Sequence, residues 1–381
     1  MSLDPIATAL PPTPLRGRLR GVMRLRRAAR VAGLALLLSA HARVPALAAE
    51  AGAARDAATQ TATGGAVEAP TEAEPRPKSG RFGPPPPPMG ARFAETLEGD
   101  RIRVGYAFER IRLAGLRTGD DHWTPDQARA FGFPQTPRSL ETTVHTFSVA
   151  WAAHPRVTLV LEIPFAQSEY TRFDLTSGLR EHQAEGIGDV GFAVVIPFIR
   201  KGFESSQVHF GLDVPTGSIR RGAEGRPLPY AAQPGNGSVD LEWGWTYKGE
   251  LDRVSWGGQV AARHPVGRNG RDWREGSRFS GRLWGVVRVL GGLSASLRAD
   301  WEKQNEIEGF DRNLQPPVDP SEDPELQDGI LLALAPGLSM EVPALAGQRL
   351  GVEVGIPIYQ DLDGPQLERD WTFRAGWQWV Y

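Results

Sequence analysis

The sequence predicts an all-β chain, a transmembrane antiparallel up-and-down β-barrel of about twelve strands preceded by a disordered N-terminal segment. Three observations predict it. From Arg101 onward apolar residues occupy every second position in segment after segment, the links between segments alternate between short and long, and the chain ends on alternating aromatics, Trp377, Trp379 and Tyr381.

Bulk properties narrow the class before any element is assigned. The 43 Lys+Arg balance 45 Asp+Glu across 381 residues, so no basic excess points to nucleic acid. Mean hydropathy is negative, and the longest nearly uninterrupted apolar run, residues 31–40, falls short of the about 20 that a spanning helix needs. Barrel strands escape that test because their apolar residues alternate with polar ones. Cysteine is absent, which removes a disulfide frame, a thiolate metal site and a lipid-bearing cysteine.

Residues 1–48 read as an over-extended start followed by a signal peptide. Met23 opens a basic region with Arg24, Arg26, Arg27 and Arg30, an apolar stretch follows, and Ala46-Leu47-Ala48 is an A-x-A cleavage site. Residues 49–98 are rich in Ala, Thr, Glu, Gly and Pro and contain the prolines 84–88. Such a composition buries too little apolar surface to offset its ordering entropy, so a disordered periplasmic spacer is expected. A lumen plug or a partner-binding segment stays open as the alternative.

Residues 99–381 are assigned to the barrel. The clearest alternations are Val157, Leu159, Leu161, Ile163, Phe165 and Val190, Phe192, Val194, Ile196, Phe198, followed by Val208, Phe210, Leu212, Val214 and Val239, Leu241, Trp243, Trp245, Tyr247. Leu350, Val352, Val354, Ile356, Ile358 and the terminal run from Trp371 to Tyr381 complete this set. A period of two places each set on one strand face. Weaker strands fit at 102–114, 142–153, 254–265, 279–290, 293–302 and 330–342. Short links follow the even strands. Longer ones, 116–139, 167–185, 217–236, 267–277, 303–328 and 360–369, follow the odd strands. Tight turns on one rim and long loops on the other produce that parity, and a soluble sandwich has no reason to.

Aromatics on the lipid-facing parity form two bands. Trp151, Phe198, Tyr247, Trp256, Trp379 and Tyr381 lie toward the turns, and Phe165, Phe279, Trp301 and Trp371 toward the loops. Prolines 164, 197, 215 and 357 take inward parity and are expected at bulges or strand ends, whereas Pro336 takes outward parity without an evident reason. Trp377, Trp379 and Tyr381 resemble the C-terminal signal that barrel-assembly machinery reads, which requires a final strand able to add to another sheet edge.

Three glycine-rich stretches carry a family resemblance. Residues 186–191 (GIGDVG), 213–218 (DVPTGS) and 234–240 (PGNGSVD) resemble, in order and in placement, an outer-membrane transporter family associated with the MetA pathway of phenol degradation. The likeness spans roughly residues 100–381 and implies passage of small, often aromatic, compounds across the outer membrane. The spacing Gly186, Gly188, Gly191 also satisfies a dinucleotide-binding pattern, but no helical period follows it.

No catalytic, cofactor or metal constellation emerges. His145 and Ser148 have opposite parity, His264 has no obvious serine partner, and no G-x-S-x-G elbow exists. Asp319, Glu322, Asp323, Glu325 and Asp328 read as a solvated acidic loop rather than a calcium site. The candidate functional residues are charged or polar ones of inward parity, namely Glu162, Asp189, His209, Asp213, Asp240, Glu242, Arg263, Arg282, Arg288, Arg298, Asp300, Glu353 and Arg374. They either line a water-filled pore or neutralise one another in a lattice that stiffens the barrel. The expected function is a porin-like outer-membrane channel for small, aromatic or hydrophobic solutes. Its partners are outer-membrane lipid, the assembly machinery and the solute. A non-conducting partner-binding barrel is the alternative, and a lipid-modifying enzyme the lesser one.

Overall fold

A computed structural model of the chain describes residues 82–381, apart from 224, 317 and 343–346. The signal peptide and residues 49–81 lie outside the described residues.

Eleven strands form the ring: β1 Ile102–Gly119, β2 Gln135–His154, β3 Val157–Asp174, β4 Val190–Lys201, β5 Glu204–Val214, β6 Val239–Leu251, β7 Val254–Val266, β8 Arg278–Leu290, β9 Leu293–Gln304, β10 Gly329–Val342 and β11 Gln348–Val380. Each pairs antiparallel with its predecessor, and β11 also pairs with β1, so no edge is left open. The limb of β11 against β10 covers 348–362, and the limb against β1 covers 366–380. The N–H of Val380 reaches back to the carbonyl of Gly347 at 2.9 Å. β11 is therefore a hairpin, and the wall is crossed twelve times. The long link expected at 360–369 is instead paired almost to its tip, where the Gln360 side chain bonds both the N–H and the carbonyl of Arg369.

The wall is inside out relative to a soluble protein. Trp243 and Trp245 are each 45 % exposed, while Asp240 and His209 are each 1 % exposed. A continuous apolar belt of this kind marks a lipid-facing surface. The five prolines singled out by parity sit where a missing donor costs little. Pro164 lies where β3 leaves β4 and pairs instead with the extra strand Gly178–Ile187. Pro197 and Pro357 adjoin register shifts, and Pro215 follows the end of β5. Pro336 keeps its pairing with Leu297 of β9, but the β10–β11 ladder jumps from Leu334–Ile356 to Gly337–Glu353. Its missing N–H faces that gap.

Four two-residue turns join β2 to β3, β4 to β5, β6 to β7 and β8 to β9 on one rim. On the other rim the long loops pack together over Ile219, Tyr230, Trp273, Ile307 and Leu314. Loop 305–328 starts between β9 and β10 and reaches across the ring, where Asp319 meets Tyr170 of β3 and the Val318 carbonyl accepts the N–H of Gln135 of β2. It roofs the mouth.

Residues 82–98 depart from the expectation of a free spacer. They bond to β3, β4, β5, β7, β8 and β11, strands that share only the barrel interior. The segment makes no ladder. A composition too polar to build its own core finds in the lumen a wall of partners for its backbone groups, which satisfies the demand that buried peptide groups be bonded.

Candidate functional site

The lumen is the candidate site. On β3 to β6 the inward charges Glu162, Asp213, Asp240 and Glu242 are acidic along the upper cavity and beside it, while Arg200 and Lys248 line the lower one. Arg92, from the lumen segment, pairs with Glu162 and lies 3.6 Å from Glu242. Arg263 of β7 lies 2.9 Å from Asp213 and 2.6 Å from Asp240. His209 lies 3.4 Å from Glu242 and is covered by Phe93, with ring centroids 4.9 Å apart, so it does not face open lumen.

Arginines dominate the opposite half. Arg298, 1 % exposed, sits between Asp300 and Glu353, each at 2.7 Å. Glu353 also accepts the N–H of Gly90 at 3.0 Å, and a Cβ on Gly90 would stand 2.3 Å from the Arg298 guanidinium. A side chain at residue 90 would have to displace the Arg298 guanidinium and the Glu353 carboxylate. Arg374 makes a two-point pair with Glu109 at 2.7 and 3.1 Å. Arg288 lies at the turn end, bonded to the Gly83 carbonyl at 2.7 Å and to Glu341 at 2.5 Å, with Phe82 beneath it. Arg282 rests on the amide oxygen of Gln259 at 2.8 Å.

Asp189 has a different task. It accepts the N–H of Gly217 and of Asn236, both at 2.9 Å. A Cβ on Gly217 would lie 2.7 Å from the Gly235 Cα. Thr216 accepts the Val190 N–H and donates to the Gly188 carbonyl, and Asn236 donates to Asp240. The three glycine-rich motifs thus meet in one knot that ties two loops to the wall. Their glycines permit close backbone approach.

Sequence reasoning missed the groups that the lumen segment supplies and binds. Glu95 bridges Arg103 at 3.0 Å and Arg349 at 3.3 Å. Gln207 and Gln259 hold the Phe93 and Arg92 carbonyls. Inward parity marked the wall residues, but nothing local marks Arg92 or Glu95 as their partners. Beside the segment an upper cavity of about 550 Å³ and a lower one of about 570 Å³ share Glu95, Arg103, Arg349 and Gln378 as lining. The segment narrows the lumen without filling it.

The acidic loop is not solvated as expected. Asp319 and Glu322 are 0 % and 1 % exposed. Tyr170 donates to Asp319 at 2.7 Å, and Arg226 and Arg172 lie 3.2 and 3.6 Å from Glu322. Burial pushes both carboxyls above their ordinary range, with each other's proximity adding to Glu322. No described group of His, Asp and Glu is arranged to hold a metal ion. His264 does meet a serine, Ser277, at 2.7 Å, a partner hidden thirteen positions along the chain. His145 bonds Tyr106 at 2.7 Å, while Ser148 lines the upper cavity. Gly186, Gly188 and Gly191 pass from one strand into the next, with no helix after them.

At the end of β11, Trp379 and Tyr381 pack with ring centroids 4.9 Å apart and planes tilted by 41°, and Trp377 donates to Gln348 at 3.0 Å. Both edges of this limb are paired in the closed ring.

No family model and no curated protein matches this sequence, including for the family suggested by the three motifs. Solved structures do match. The COG4313 outer membrane channel from Pseudomonas putida F1 aligns over 76 % of this chain and 98 % of its own, with TM-score 0.54 and 13 % identity. The β domain of the Bordetella autotransporter BrkA aligns over 74 % and 100 % at 12 % identity, and a Pseudomonas aeruginosa FadL homologue over 74 % and 89 % at 9 %. Their TM-scores, 0.37 and 0.34, are too low to carry an argument. Fold and belt together define the class: a membrane-spanning β-barrel whose lumen holds part of its own chain.

Proposed function

We propose that this protein is a porin-like channel of the outer membrane that passes small solutes along the lumen beside residues 82–98. The observation that supports this most is the pair of polar cavities meeting at Glu95, Arg103 and Arg349. An ion-paired constriction between two polar chambers is a passage that side-chain motion can open, whereas a lattice serving stability alone would fill the space. The motif resemblance suggests aromatic or hydrophobic solutes. On this reading residues 23–48 direct export and Trp377, Trp379 and Tyr381 present the last strand to assembly machinery before the ring closes.

Liposome swelling with refolded intact protein tests the proposal. Swelling by small neutral sugars above protein-free vesicles is expected. A barrel that is folded by heat-modifiable gel mobility yet passes no solute would instead support the partner-binding alternative.

A further inference from the structure

Nearly every inward arginine described above has a carboxylate at 3.3 Å or less, as Arg92, Arg103, Arg263, Arg298, Arg349 and Arg374 show. Arg278 and Arg282 differ. They stand four residues apart on β8, hence on one face, and both line the upper cavity. Each rests on a neutral amide oxygen, Gln304 at 2.7 Å for Arg278 and Gln259 at 2.8 Å for Arg282. Glu275 and Asp300 lie only at 3.9 Å, Asp300 is already engaged by Arg298 at 2.7 Å, and Glu302, whose charge acts on both arginines, makes its contact with Arg369 at 3.4 Å. The rest of the lining includes the small uncharged residues Gly105, Ala107, Thr146, Ala166 and Pro164, and its carboxylates Glu109, Glu162 and Asp213 are each already paired with an arginine.

We infer that this cavity is a binding site for a small organic monocarboxylate, its charge held by Arg278 and Arg282 and its body lying on the small-residue wall. A guanidinium fork matches a carboxylate edge, and an amide oxygen meets its hydrogen-bonding need without matching its charge. The narrow, partly desolvated lumen strengthens such a contact relative to bulk water. The inference rests on the channel reading only for how the solute arrives.

The test is calorimetric titration of detergent-solubilised intact protein with benzoate and with benzylamine at constant ionic strength. Saturable benzoate binding is expected, at least about tenfold weaker in the R278Q/R282Q double variant, with no comparable benzylamine binding. R282K, which keeps charge but loses the fork, is expected to fall between them, and it serves if the double variant fails the gel-mobility test. Absence of saturable benzoate binding, equal benzylamine binding, or benzoate binding unchanged in the variants overturns the inference. Swelling with a neutral sugar separates the two readings. Sugar flux without benzoate binding leaves the channel and removes the site, and benzoate binding without any flux does the reverse.

Discussion

Residues 82–98 and the loop roof obstruct the same lumen but are held in it by different physics. The lumen segment is fixed by side chains of the wall reaching its backbone, by ion pairs from Arg92 and Glu95, and by two small apolar clusters in which Phe93 and Leu97, and separately Ala91 and Ala94, pack against the wall. The roof is fixed by an apolar cluster and by two buried carboxylates, Asp319 and Glu322. The segment's polar attachments are each worth little net free energy in contact with water, and the ring's ladders run from strand to strand without it, so the segment can leave without the wall unfolding. On the channel reading proposed above, the difference assigns gating to the segment and access to the roof.

The comparison can be broken first at Gly90. Gly90→Val places new atoms against Arg298 and Glu353 in space that the wall already fills. Expulsion of the segment is expected, read as rapid proteolysis at residues 82–98 with the heat-modifiable barrel intact. A protected segment would show that its seat is looser than the contacts imply. Next, Arg298→Ala leaves Asp300 and Glu353 without their shared cation, at an expected cost of about 3–5 kcal/mol in urea unfolding from lipid vesicles. A cost under about 1 kcal/mol would mean that water replaces the guanidinium freely.

The roof makes the converse prediction with pH. Because burial raises the folded-state pKa of Asp319 and Glu322, their contribution to the docked loop is fully present below the ordinary carboxylate range and is lost as pH rises through the raised values. Hydrogen exchange in residues 311–326 is therefore expected to be slower at mildly acidic pH than at neutral pH, after correction for intrinsic rates. Faster exchange on acidification would show that the pairs with Arg172 and Arg226 govern instead. The smallest effect is expected for Tyr170→Phe, which removes one hydrogen bond to Asp319, worth about 0.5–1.5 kcal/mol. It loosens the roof and leaves the segment unchanged.

What was legible in the sequence follows the range of the interactions. Alternation is local, so the twelve wall passages and the inward set from Glu162 to Arg374 could be read from parity. Pro336 could not, because its tolerance depends on a break in pairing with a neighbouring strand. The acidity of loop 305–328 suggested solvation, since the groups that bury Asp319 and Glu322 come from β3 and from the loop after β5. Residues 82–98 were legible only as unable to fold alone. Their partners, Glu353 and Arg349 among them, lie more than 250 residues away. The glycine motifs were visible as motifs, but the knot around Asp189 exists only once two loops meet.

Single-channel conductance of the intact protein, compared in planar bilayers with a form lacking residues 82–98, tests the central claim most directly. Since the segment occupies the lumen while the ring closes without it, the shortened form should conduct several-fold more current per channel and remain heat-modifiable. Equal conductance from two folded forms would contradict the account, because the segment would then not lie in the path of the ions.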